Sequence, residues 1–118
     1  MIQIKRVYEA PASEDDARFL VEQLWPRGMK KEALKIDGWV KDIAPSAGLR
    51  RWFNHDPAKW MEFQKRYRAE LAGHTAESHQ LLKAAKHCNV TLLYSAHDTA
   101  HNNAVVLQHY LEAKLRRK

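Results

Sequence analysis

Between Val90 and Val106 the chain reads Val-Thr-Leu-Leu-Tyr-Ser-Ala-His-Asp-Thr-Ala-His-Asn-Asn-Ala-Val-Val. Ser95, His97, Asp98, His101, Asn102 and Asn103 fall between an apolar run and a new apolar pattern at helical spacing. An imidazole is the side chain best suited to moving a proton near neutral pH. His101 is therefore the candidate general acid or base, and Asp98 the carboxylate that orients it. Tyr94 and Ser95, at the end of the apolar run, are placed to hydrogen-bond a ligand. Asn102, at the start of the helical pattern, adds an amide beside free backbone N–H groups, the arrangement that holds anions. Asp98 also has a structural reading, as a cap accepting from the N–H of Ala100 or His101. On a regular helix His97 and His101 would share a face and suit zinc. His97 and Asp98 fall in the turn before the helix is regular, so no metal ligand is assigned.

A second group is Trp25-Pro26-Arg27-Gly28. Pro26 fixes its own φ and restricts Trp25, and Gly28 permits a positive φ. Arg27 is thus carried on a constrained turn, where its planar fork suits a phosphate or carboxylate. An exposed surface turn is the other reading. His55-Asp56 is a further candidate pair, with helix capping as the competing account. Cys88 is expected to be a buried, inert thiol, because activation needs exposure and a positive environment. No P-loop, Rossmann glycine pattern, CxxC, HExxH or GxSxG occurs.

The elements that must position these residues follow from periodicity and breakers. Val90–Tyr94 reads as a buried strand, and a helix is expected from about His101 to Arg116. Alternation predicts a first strand from about Ile2 to Tyr8. Ser13 to Asp16 is a helical start. Ala17 to Trp25 fits either a helix or a short buried strand, and spacing alone favours helix. A short helical turn is expected near Lys31 to Leu34, followed by an irregular or extended piece. Ser46 caps a short helix carrying Leu49, Trp52 and Phe53. Asp56 caps the next, with Pro57 in its first turn. Ala58 to Leu71 is the clearest helix, with Trp60, Phe63, Tyr67 and Leu71 on one face. It is closed by Gly73, and Thr75 to about His87 forms another helix. In open α/β sheets ligands sit beyond the carboxyl ends of strands, which places the candidate site at the turn after Val90–Tyr94.

Several strings occur in a fixed order: Leu24-Trp25-Pro26-Arg27-Gly28, Trp39, Lys41-Asp42, Ala44-Pro45-Ser46, Leu49-Arg50, Trp52-Phe53 and His55-Asp56-Pro57. Phe63, Tyr67, Glu70-Leu71, Thr91 to Ala96, Asp98, His101-Asn102 and Ala104 to Leu107 complete the order. This pattern, from about Val7 to Leu111, resembles the DUF488 family, of the YeaO-like type. The resemblance implies a small bacterial or archaeal α/β domain without an established activity. It also implies a strand before Trp25, against the helical spacing, and it retains an arginine at Arg18. Gln23 stands where the pattern carries arginine. With Arg18 and Arg27 added, the candidate pocket comprises Arg18, Arg27, Tyr94, Ser95 and Asn102 as ligand-binding residues, with His101 and Asp98 for acid–base chemistry.

The chain has 118 residues, 45% hydrophobic and 29% charged, with a net charge of +6 and one cysteine. These values fit one globular domain at residues 1–118. The expected fold is α/β, a single sheet of a few mainly parallel strands flanked by helices. No apolar run reaches membrane-spanning length, and the N-terminus lacks signal-peptide order, so a cytoplasmic location is expected. Two functions from different classes follow. One is a small-anion pocket, with or without hydrolase- or transferase-like chemistry. The other is a nucleic-acid-binding or regulatory module using the basic surface, which is densest at Lys114, Arg116, Arg117 and Lys118.

Overall fold

The computed structural model describes residues 1–117. A parallel sheet is built from β1 (Ile2–Arg6), β2 (Ala17–Leu20), β3 (Gly38–Trp39) and β4 (Val90–Tyr94), in the order β1-β4-β2-β3. The helices are α1 (Lys31–Leu34), α2 (Ala47–Phe53), α3 (Trp60–Leu71), α4 (Thr75–Ala85) and α5 (Asn103–Arg116). Short 3-10 turns lie at Ser13–Asp15, Lys41–Ile43 and Pro57–Lys59. The α/β class with a parallel sheet is as the sequence indicates. Among the described residues no helix is long and apolar enough to cross a membrane.

β4 lies between β1 and β2 and is buried along its whole length. It therefore reads as a continuous apolar run rather than an alternation. The same fact explains why helical spacing misleads over Ala17 to Trp25. Arg18, Phe19, Leu20 and Val21 are all buried, with Phe19 and Val21 in the larger core and Leu20 in the smaller. A strand covered on both faces has no polar stripe to betray its period. β1 stops at Arg6, two residues short of the expected end. The extended piece after α1 forms β3. There Gly38 leaves room for the Phe19 ring, since a Cβ at this position would stand 3.0 Å from it.

The two faces are covered unequally. The larger core joins the sheet to α2 through α5, around Phe53, Phe63, Tyr67, Leu107 and Leu111. Tyr67, on the apolar stripe of α3, donates its hydroxyl to the Ile43 carbonyl at 2.6 Å, and burial pushes its pKa far up. The smaller core holds Val7, Leu20, Leu34 and Leu93 under Trp25 and Trp39. Expected caps are present. Ser46 Oγ accepts from Leu49 N at 3.2 Å, and Asp56 Oδ1 accepts from Ala58 N at 3.0 Å. α5 begins at Asn103, with Asn102 rather than Asp98 as its N-cap.

Helix α5 runs across the sheet from one edge to the other. At its start Asn103 Nδ2 donates to Val21 O, just past the end of β2. Further along, Gln108 Nε2 donates to Ile2 O at the beginning of β1. The first turn of α5 therefore sits at the carboxyl edge of the sheet, and Gln108, midway along the helix, reaches the amino edge.

Candidate active site at the carboxyl edge of the sheet

Four chain segments close around a cleft of about 890 Å³ at the carboxyl edge. Arg6 and Tyr8 come from the end of β1, and the stretch from Glu22 to Arg27 follows β2. Ser95 to His97 and His101 to Asn103 follow β4. Ala44 and Pro45, together with Arg50, Arg51 and residues 53–55, come from the long connection between β3 and β4. Four arginines line the cleft against a single carboxylate, Glu22.

The Arg27 turn is fixed from several directions. Met29 N donates to Pro26 O at 3.3 Å and Gly28 has φ of +76°, the geometry of a type II turn. Tyr8 donates its hydroxyl to Arg27 O at 3.0 Å. Trp25 donates Nε1 to Met29 O at 2.6 Å and meets Trp39 edge-on at 5.4 Å. The Arg27 backbone is thus held by its own hydrogen bonds and by two indoles. Its exposed guanidinium has no hydrogen-bond or ion-pair partner among the described residues.

Across the cleft, Asp98 organises the turn after β4. Its Oδ1 accepts from Ala100 N and His101 N, both at 2.9 Å, and its Oδ2 lies 2.9 Å from His101 Nδ1. The Ala100 N–H and the His101 ring hold the Asp98 carboxyl below its ordinary pKa. His101 is further fixed by a T-shaped contact with Trp60, 5.1 Å between ring centroids. With Nδ1 engaged by Asp98, Nε2 is the ring nitrogen left for a ligand, the arrangement by which a carboxylate sets an imidazole's tautomer and direction. Asn102 is buried. Its Oδ1 caps Val105 N at 3.1 Å and its Nδ2 donates to Asp98 O at 2.9 Å. Both ends of its amide are therefore engaged within the chain, although the residue lines the cleft.

The structure brings Arg27, Ser95, His101 and Asn102 to one cleft, with Asp98 bonded behind His101. Ser95 Oγ donates to Glu22 Oε1 at 2.6 Å. Two expected members lie elsewhere. Tyr94 is 2% exposed and belongs to the larger core. Burial pushes its phenol pKa up, and the negative charge of Glu9 adds to this. Arg18 is near the start of β2, not its end. Its guanidinium donates to Asp15 Oδ2, to Leu34 O at 2.8 Å and to Lys35 O at 3.0 Å. It closes the last carbonyls of α1 and has no reach to the cleft. Cys88 is exposed rather than buried, and it precedes β4 at the amino edge.

His55 and Asp56 do not form a pair. Asp56 is a cap, whereas His55 lines the cleft from a left-handed backbone (φ 54°) that follows another at Asn54 (φ 46°). Such conformations are costly for non-glycine residues and tend to concentrate at functional sites. His97 also lines the cleft, but the segment from Ala96 to Asn102 is irregular, so the helical i,i+4 geometry does not apply to His97 and His101. Among the described residues no group of three or more His, Cys, Asp or Glu could hold a metal ion.

Sequence reasoning missed Arg6, Tyr8, Arg50 and Arg51. For Arg6 a signal existed, since it ends β1 and carboxyl ends of parallel strands are where ligands gather. It is anchored through Nε to Ala96 O at 2.9 Å and Nη2 to Ser95 O at 3.3 Å. Arg50 donates to Gln23 Oε1 at 3.1 Å.

Residues 1–118 match the family profile described as "Inactive DUF488-N3 subclade". The chain belongs to the DUF488 family. It is 45% identical over 112 residues to "Uncharacterized protein YeaO" of Escherichia coli (strain K12), an alignment covering 95% of this chain and 97% of that protein. It is 34% identical over 113 residues to "Uncharacterized protein Rv3073c" of Mycobacterium tuberculosis (strain H37Rv), covering 96% and 95%. No solved structure gives a significant match.

Proposed function

We propose that the protein binds a small oxyanion, a phosphate or carboxylate, in the cleft at the carboxyl edge of the sheet. The observation that carries this reading is the excess of arginine there: Arg6, Arg27, Arg50 and Arg51 face one carboxylate, and that carboxylate is engaged by Ser95. Arg6 and Arg50 are anchored by hydrogen bonds and form a wall, while Arg27 and Arg51 remain available to a ligand. A concave site concentrates such a field, and bidentate guanidinium contacts are among the stronger hydrogen bonds. His101, oriented by Asp98, adds a donor or a proton-transfer group. The reading is one of binding ahead of turnover, which the word "inactive" in the family description favours. Isothermal titration with inorganic phosphate tests it. Saturable binding that Arg27→Ala weakens supports the proposal, and no binding at millimolar phosphate contradicts it.

A second reading has its own observation. A groove of about 740 Å³ between the ends of α4 and α5 is lined by Lys83, Lys86, Lys114 and Arg117, with no carboxylate among the described residues of its lining. This favours contact with a nucleic-acid backbone at the amino edge. Filter binding across a salt series decides it. Electrostatic binding must weaken steeply from low to moderate salt, and absence of binding at low salt removes this reading.

A further inference from the structure

Only four large hydrophobic side chains are exposed among the described residues: Met1, Tyr8, Leu24 and Met61. Two of the four, Tyr8 at 47% and Leu24 at 66% exposure, line the arginine-bearing cleft. Single exposed apolar residues are ordinary, but two converging in a concave site beside an unpaired guanidinium form a patch that a ligand can cover. Tyr8 is also rigid. Its hydroxyl is tied to Arg27 O at 3.0 Å, and the guanidinium of Arg6 lies 5.0 Å from its ring centroid. Arg6 in turn is bonded to two carbonyls of the turn after β4. The aromatic plate and the Arg27 turn are therefore mechanically one unit.

We infer that the cleft takes a phosphate ester carrying a planar aromatic group, with Tyr8 as the plate on which the ring stacks and Arg27 meeting the phosphate. A nucleoside 5′-monophosphate is the simplest ligand of this class. The inference rests on the anion reading and narrows it. A bare phosphate leaves Tyr8 and Leu24 in water and leaves most of the 890 Å³ unfilled, a volume within the range of small-molecule sites. A ring stacked on Tyr8 extends the existing column of Arg6 and Tyr8, and stacking of this kind tolerates any base.

The test is calorimetry on the full chain with inorganic phosphate, ribose 5-phosphate and adenosine 5′-monophosphate. The nucleotide is expected to bind about tenfold or more tighter than the sugar phosphate. Tyr8→Ala is expected to erase that ratio, and Tyr8→Phe, which keeps the ring and loses the tie to Arg27, to preserve it. Equal affinity for nucleotide and sugar phosphate overturns the stacking inference and leaves the anion reading standing. Failure of all three probes to bind overturns both. A ratio that survives Tyr8→Ala also overturns the role given to Tyr8.

Discussion

The two edges of the sheet each hold an arginine and an aspartate, and the two sites have opposite character. At the amino edge Asp15 accepts from Arg18, from Lys5 at 3.1 Å and from Ala12 N at 3.0 Å. Thr91 Oγ1 binds the Asp15 carbonyl at 2.8 Å and itself accepts from Gln3 at 2.9 Å. The Asp15 and Arg18 side chains are 4% and 5% exposed, and both cations there, Lys5 and Arg18, are ion-paired to the one carboxylate. At the carboxyl edge Arg27 is exposed and unmatched, and Asp98 engages a histidine in a cleft. A matched, buried pair holds the fold together. An unmatched cation over a concave surface can be satisfied by a ligand.

The contrast can be broken most forcefully at Asp15. Asp15→Ala leaves Arg18 buried without its carboxylate and is expected to cost about 3–5 kcal/mol, measured by urea denaturation. A loss under about 1 kcal/mol would show that Arg18 finds water or another partner. Acid probes the same group. Burial acts to raise the Asp15 pKa, but the Ala12 N–H, Lys5 and Arg18 outweigh it and hold it below the ordinary value. Its stabilising contribution is thus complete above the unfolded value of about 3.9 and is lost as pH falls through the lower folded value. Unfolding curves below about pH 4 should show the loss, and Asp15→Asn should flatten that part of the profile.

Asn102→Ala, which removes the α5 cap and the bond to Asp98 O, is expected to cost about 1–2 kcal/mol. A stability unchanged in the same urea assay would mean that the turn caps itself another way. At the carboxyl edge the expectation reverses. Arg27→Ala should change stability by no more than about 0.5 kcal/mol while lowering phosphate affinity about tenfold or more. Asp98→Ala should weaken phosphate binding by less than Arg27→Ala, because it releases the His101 ring without removing a charge from the cleft wall. Calorimetry on the two variants ranks them, and the reverse order would move the anion away from Arg27.

How much of this was legible in the sequence depended on how local the cause was. The Trp-Pro-Arg-Gly turn carries its own backbone instructions, so the fixed presentation of Arg27 could be read from four residues. Val90–Tyr94 and its polar turn were legible for the same reason, as were the caps at Ser46 and Asp56. Arg18 looked equally available, yet its partners are the last carbonyls of α1 and the carboxylate of Asp15, and only the folded chain assembles those. Arg50 and Arg51 reach the cleft through packing of α2 against α3, which leaves no local mark. Tyr94 ends its strand, as the apolar run predicts, but residues at strand ends face the core or the cleft according to the pleat. Asp98 caps backbone N–H groups, as its position predicts, but ahead of the helix, which starts at Asn103.

The most direct test of the account is a phosphate titration followed residue by residue through the backbone amide resonances. The account predicts saturable shifts at Gly28, Ala96 and His101, around the carboxyl edge, with the amides of Asp15 to Arg18 unmoved. Shifts confined to the Lys83 and Lys114 region, or none at any residue, would contradict it.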